Sequence, residues 1–172
     1  MSYALKSISK SGIEEAISKA ELYRYLNEPE ETESICHDIL AIEPSHQLAL
    51  RLLGMAITDQ FMGSIADRYS EAEATLRRLS DPYERVYYLG ILYERRAKAL
   101  LRAGRDPHTL LPFFEQAMSC FAKAADVRPP GNDDAILRWN RCVRILNSNP
   151  AFAAESDSAP IEVHDHDSPP AK

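Results

Sequence analysis

The sequence predicts an all-α protein, and three observations carry that prediction. Apolar residues recur at helical spacing, as in the stripe formed by Leu50, Leu53 and Ile57. No segment of the sequence shows the alternation of apolar and polar residues that is typical of a half-buried strand. Glycine is scarce, with 6 residues in 172, whereas alanine, leucine, glutamate and arginine, which favour helix, are abundant.

Helix-capping and helix-breaking residues divide the chain into seven predicted helices. Pro29 and Pro82 stand at favourable first-turn positions, and Asn27 and Gly104 suit helix exits. The candidate N-caps are Ser11 (in a Ser-x-x-Glu capping box), Ser45, Ser64, Asp81, Asp106 or Thr109, and Asn132 or Asp133. The predicted helices cover about residues 12–26, 29–43, 46–61, 65–79, 82–103, 107–126 and 133–146. Because the loops are short, consecutive helices should pack as antiparallel neighbours.

Composition divides the chain into three parts. We expect an N-terminal extension at 1–11, one helical domain at 12–147 and a disordered acidic tail at 148–172, where serine, aspartate, proline, alanine and histidine dominate. The net charge of -6 combines -7 for residues 1–76, +5 for 77–144 and -4 for 145–172. The chain therefore has an acidic front, a basic middle and an acidic end.

Targeting signals are missing from the sequence. The first residues hold no apolar core of signal-peptide length, and no apolar run approaches a membrane span. Three cysteines cannot all pair, and such a sparse, odd set fits a reducing compartment. We therefore expect a soluble cytoplasmic protein without a membrane partner.

A repeated pattern of small and large residues follows the predicted helices. Its clearest first-helix copies are Leu53-Gly54 with Ile57 and Leu89-Gly90 with Tyr93, and its clearest partner-helix copy is Ala117 with Phe121, Ala124 and Pro129. In a weaker first copy, Ala20 precedes Gly54 by 34 positions, and Gly54 precedes Gly90 by 36. The small residue would let paired helices approach closely, and the proline would turn the chain into the next unit.

This pattern resembles the tetratricopeptide repeat (TPR) family, with three units over roughly residues 12–147. The signature tryptophan is absent from all three units, and the third unit is longer than the family pattern by about 15 residues. The resemblance implies a right-handed solenoid of helical hairpins with an extended third hairpin. The seventh helix, carrying Trp139, would cap its last apolar face.

The resemblance also implies a concave groove lined by the first helix of each pair. Methionine, tyrosine and arginine are suited to adaptable, amphipathic and two-point contacts in such a groove. The implied groove residues are Glu14, Ile17, Glu21, Arg24, Arg51, Met55, Asp59, Tyr87, Ile91, Glu94 and Arg95. The alternative interpretation is a solvated face with ion pairs inside the array.

The carboxylate clamp of chaperone-binding relatives does not map onto this chain. Its Lys-Asn-Asn-Lys-Arg places are taken by Ile17, Glu21, Leu52, Glu84 and Tyr88. We therefore do not expect binding to chaperone C-termini.

A basic patch is a second candidate surface. It consists of Arg102, Arg138, Arg141 and Arg144, the last three spaced on one face of the seventh helix. Such a run usually solvates a helix face. The sharper hypothesis is a surface for an acidic partner or for the protein's own acidic tail. Nucleic acid is less favoured, because the molecule is acidic overall and shows no motif for RNA or DNA.

The sequence offers no catalytic, cofactor or metal motif. Neither a phosphate-binding glycine loop nor a nucleophile-base constellation can be identified. We expect Cys36, Cys120 and Cys142 to be packing residues, and the His164–Asp167 run to lack the fixed geometry of a metal site. The function predicted is therefore non-catalytic: an adaptor or scaffold that binds a protein or peptide segment. A structural homodimer and a nucleic-acid binder acting through the arginine-rich helices are the alternatives.

Overall fold

The computed structural model describes residues 3–63 and 67–152. These residues form seven α-helices and no strand. The helices are α1 (Ile13–Tyr25), α2 (Pro29–Ile42), α3 (Gln47–Asp59), α4 (Tyr69–Arg77), α5 (Pro82–Arg102), α6 (Pro107–Asp126) and α7 (Asp134–Ser148). Single 3-10 turns precede α1 and follow α7, at Lys10–Gly12 and Pro150–Phe152. The all-α prediction is confirmed for the described residues.

Several predicted helix ends are confirmed by local geometry. Asn27 has a φ of 63°, and Gly104 has a φ of 78°, so both leave their helices through the left-handed region. Asp81 accepts a hydrogen bond from the Glu84 amide at 2.7 Å. Asp106, rather than Thr109, caps α6.

Two predicted N-caps are wrong. Ser11 lies inside the 3-10 turn, and its hydroxyl contacts the Ser9 hydroxyl at 3.2 Å instead of capping α1. The imidazole of His46, and not Ser45, accepts the first-turn amide of Ala49 at 3.2 Å. The third prediction, Ser64, lies outside the described residues, and α4 begins at Tyr69.

The helices pack in chain order. Each helix contacts the next one, and α1, α3, α5 and α7 also contact each other in succession. The odd-numbered helices therefore form one row, with α2, α4 and α6 packed beside it. The largest fully buried side chains include Phe114, Phe121, Leu50, Ile57 and Leu76, each contributing about 1.5–3 kcal/mol by its burial.

Two glycines allow neighbouring helices to approach closely. A Cβ on Gly54 of α3 would lie 2.5 Å from Leu76 of α4, and one on Gly90 of α5 would lie 2.7 Å from Phe121 of α6. Only a residue without a Cβ fits at either place. The predicted role of the glycine in the repeated pattern is thus confirmed at both positions.

The last hairpin is the longest, as its sequence length predicted. Helix α5 has 21 residues and α6 has 20, against 13 and 14 in α1 and α2. Helix α7 packs on both, and Trp139 lies half-buried against the core.

The folded part of the chain extends beyond the predicted boundary at residue 147. Ser148 is still helical, and the Pro150–Phe152 turn packs on α6 and α7. Composition predicts an earlier boundary because it does not reveal that a single aromatic residue, Phe152, packs the end of the chain against α6. The rest of the predicted tail lies outside the described residues. Among the described helices, none is long and apolar enough to cross a membrane.

Candidate binding cleft

A cleft of about 510 Å³ opens along the row of odd-numbered helices. Helices α1 and α3 supply most of its wall, and α5 closes one side. Its lining residues are Glu21, Arg24, Tyr25, Asn27, Arg51, Leu52, Met55, Asp59 and Tyr88. We call this surface the α1–α3–α5 cleft.

Asp59 holds two arginines in the α1–α3–α5 cleft. One of its carboxylate oxygens accepts from Arg24 Nε at 2.9 Å, and the other accepts from Arg95. Arg95 also donates to the Thr58 hydroxyl at 2.6 Å, and burial lowers the pKa of its guanidinium. One carboxylate faces two guanidinium groups here, and Glu21 also lines the cleft, so the wall carries charges of both signs.

Arg51 forms a second fixed charge, on α3 about two turns before Asp59. Its Nη1 donates to Glu84 Oε1 at 2.6 Å, which joins α3 to α5. Its guanidinium carbon lies 5.8 Å from the centre of the Tyr88 ring, within range of a cation–π contact. Burial raises the pKa of Tyr88, so its hydroxyl stays protonated and remains a donor.

The structure brings five of the eleven predicted groove residues into the cleft wall: Glu21, Arg24, Arg51, Met55 and Asp59. Arg95 lies behind them, held by Asp59. Helices α1 and α3 therefore face the cleft with the side that carries Glu21, Arg24, Arg51 and Met55.

Other predicted groove residues do not line the cleft. Ile17 and Ile91 are only 6% and 2% exposed and belong to the core. Tyr87 is half-buried away from the cleft, with its ring 5.6 Å from Tyr83 and 6.1 Å from Phe121. The error is one of helix rotation: a shift of one residue turns the side chain by about 100°, so that Tyr88 faces the cleft instead.

Sequence reasoning missed two further cleft residues. Tyr25 is 87% exposed at the end of α1 and offers a large amphipathic side chain. Asn27 lines the cleft because its left-handed exit bends the chain there. The signal was available for Tyr25, which follows Glu21 by four positions and so shares its helix face.

Glu94, predicted to line the groove, is fully buried between α5 and α7. Its two oxygens each lie 3.3 Å from a cation, Lys98 Nζ and Arg138 Nη1. Since a buried charge needs partners, this triad fixes α7 against α5. Arg138 is therefore a structural ion-pair residue rather than a free member of the basic patch.

The remaining members of the basic patch are exposed. Arg102 donates to the Lys98 carbonyl at 3.3 Å, and Arg141 and Arg144 make no ion pair with any other described residue. The patch is thus smaller than predicted, because its best-placed arginine is already paired.

A second charged cluster lies between α2 and α4, away from the cleft. Arg68 bridges Glu33 and Glu71, with both Nη2–oxygen distances at 2.6 Å. Its hydrogen bonds lower the pKa of both carboxyl groups. With His37, the two carboxylates place three ligand atoms within 4.8 Å of one another, a spacing that a metal ion could use. Arg68 already binds both carboxylates, so we assign the cluster to helix pairing.

The cysteines behave as packing residues. Cys36 and Cys142 are fully buried, and burial raises the pKa of each thiol to about 12. Cys120 is half-buried, and burial raises its pKa too. All three are free thiols. The His164–Asp167 run lies outside the described residues.

Comparisons with family models, with curated proteins and with solved structures found no match to this chain.

Proposed function

We propose that the chain is a non-catalytic adaptor or scaffold that holds a peptide or protein segment in the α1–α3–α5 cleft. The observation that carries the proposal is the composition of the cleft wall. Exposed Tyr25 lies beside Arg24 and Arg51, and ion pairs with Asp59 and Glu84 fix the positions of these two arginines. Side chains held in this way lose little conformational freedom on binding.

We also propose that the helices form a TPR-like solenoid of three hairpins capped by α7. Two facts support it: the succession of contacts among odd-numbered helices, and the tight Gly54–Leu76 and Gly90–Phe121 approaches. In a solenoid the row of first helices forms a continuous inner surface, which is where partners bind. A reducing compartment such as the cytoplasm fits the three free thiols.

The cleft suits a segment that carries both an acidic and an apolar or aromatic side chain. An acidic group would meet Arg24 and Arg51, and an apolar group would meet Met55 and Tyr25. Charge would orient the segment, while apolar burial would supply most of the affinity.

The test is affinity capture with a variant that removes two cleft side chains, Arg51→Ala with Tyr25→Ala. The matched control removes the same residue types elsewhere, Arg144→Ala with Tyr3→Ala, both exposed and outside the cleft. Partners that bind in the cleft are lost with the first variant and kept with the second. Equal capture by both variants would contradict the proposal, provided that both unfold at the temperature of the parent chain.

Light scattering separates this proposal from the homodimer alternative. A monomer has the chain mass of 19.4 kDa. A stable dimer that becomes monomeric in the Arg51 and Tyr25 variant would mean that the cleft serves self-association instead.

A further inference from the structure

An apolar groove runs between α6 and α7, on a different part of the molecule from the cleft. At one end it is filled: Phe152 packs edge-on against Phe114, with ring centres 5.7 Å apart, beside Leu111 and Leu146. At the other end is an open, mostly apolar pocket of about 240 Å³, lined in part by Phe121, Ala122, Ile136 and Trp139.

Both ends lie along the seam between α6 and α7. On α6, Leu111 lines the filled end and Ala122 lines the open end; on α7, Asn147 and Ile136 do the same. Leu111 and Ala122 are eleven positions apart, and so are Ile136 and Asn147. Eleven positions are about three helical turns, so both ends lie on the same side of each helix. The open pocket is therefore about 16 Å along the groove from the filled one.

The chain already turns into this groove. Helix α7 ends beside Leu111, but Phe152 contacts Phe114, which is nearly one turn closer to the open pocket. The chain after α7 therefore stays against α6 and α7. Phe152, the last described residue, is anchored in the groove.

Residues 153–172 have the composition that the open pocket requires. Their only large aliphatic side chains are Ile161 and Val163. An extended chain gains about 3.3 Å per residue, so residues 153–161 span about 30 Å, more than the distance to the pocket. The charge of -4 on residues 145–172 also complements the exposed Arg141 and Arg144 of α7.

We propose that residues 153–163 fold back along the α6–α7 groove and that Ile161 and Val163 occupy the pocket beside Trp139. The occupant is the chain's own C-terminal segment, so the contact is intramolecular. It covers the apolar end of the helical array, and it is independent of what the cleft binds. Because part of the attraction is electrostatic, the docked fraction falls as salt concentration rises.

Trp139 reports on this contact directly, since it is the single tryptophan of the chain. In the full-length chain, Ile161→Ser with Val163→Ser should move its emission to longer wavelength and raise its quenching by acrylamide. Loss of two buried aliphatic side chains should lower the docking equilibrium constant by about tenfold or more. The matched control, Ala159→Ser with Ala171→Ser, should leave both signals unchanged. Unchanged quenching in the first variant would overturn the proposal.

A double-mutant cycle separates docking from general loosening of the fold. Ala122→Asp places a charge on the wall of the pocket at an exposed helical position. It should raise the quenching of Trp139 by itself and abolish any further effect of the Ile161 and Val163 substitutions. Additive effects would overturn the proposal. So would a Trp139 signal that depends on protein concentration, because it would mean that the segment comes from a second copy.

Discussion

The α-carbon of Gly90 faces the ring of Phe121 so closely that a Cβ there would lie 2.7 Å from the ring edge. The contact sets the distance between α5 and α6, the longest pair of helices in the molecule. Phe121 is fully buried and also contacts Tyr87, so its ring has little freedom to move aside.

Gly90→Ala should therefore destabilise the protein, although alanine is ordinarily the better helix former by about 1 kcal/mol. Overpacking costs about 1–3 kcal/mol, which should exceed that gain. Urea unfolding followed by circular dichroism measures the difference. In a chain that already carries Phe121→Leu, Gly90→Ala should cost less free energy of unfolding than it does in the parent chain. A higher urea midpoint for Gly90→Ala would contradict the tight contact.

Arg138→Ala should destabilise more than Arg141→Ala on the same helix. The first leaves the fully buried Glu94 with Lys98 as its only cation, whereas the second removes an exposed side chain. Since Arg138 is itself 35% exposed, we expect a cost of about 1–3 kcal/mol, below that of a fully buried pair. Arg141→Ala should stay within about 0.5 kcal/mol of the parent chain. Equal free energies of unfolding would show that the pair does not hold α7.

Asp59→Ala should be more disruptive than Arg24→Ala, although the two residues form an ion pair. Without Asp59, Arg24 and Arg95 face each other unpaired, and Arg95 is half-buried. Without Arg24, the Asp59–Arg95 pair remains. We expect a cost of about 1–2 kcal/mol for the first variant and about 0.5 kcal/mol or less for the second. Thermal unfolding of both variants tests this order, and the reverse order would show that Arg24 is not free to meet a ligand.

Arg68→Leu should change how stability depends on pH. Arg68 lowers the pKa of Glu33 and Glu71 below the ordinary 4.5. A lowered pKa contributes stability above the unfolded-state pKa, and that stability is lost as the pH falls through the folded-state values. The variant should therefore be less stable near pH 7 and approach the parent chain below about pH 4. Lys19→Leu, which breaks an exposed pair with Glu15, is the control and should show no such convergence.

The order and ends of the helices could be predicted because prolines, glycines and caps act locally. Asp81 and Asn27 behave as their types predict. Ser11 and Ser45 do not, since Ser11 lies in the 3-10 turn and the neighbouring His46 accepts the hydrogen bond from the Ala49 amide. Cap selection among adjacent polar residues depends on packing that the sequence does not display.

Most residues that line the cleft on α1 and α3 could be predicted, whereas on α5 the predicted tyrosine was displaced by one residue. Arg24, Arg51 and Met55 follow from helix periodicity, but Tyr87 and Tyr88 are neighbours, and either could have faced the cleft. The choice depends on tertiary contacts, because Phe121 and Tyr83 take up Tyr87. The burial of Glu94 was also hidden, since its partner Arg138 is 44 positions away in the sequence.

The packing of helices in chain order has a consequence for how the molecule folds and opens. Most contacts join residues that are close in sequence, so the entropy lost in closing loops is small and folding should be fast. Helix α1 packs mainly on α2 and α3, while the α5–α6 hairpin contains Phe114 and Phe121. Amide hydrogens should therefore exchange first in α1 and last in α5 and α6, and the wall of the cleft that carries Tyr25 is the part that opens most readily.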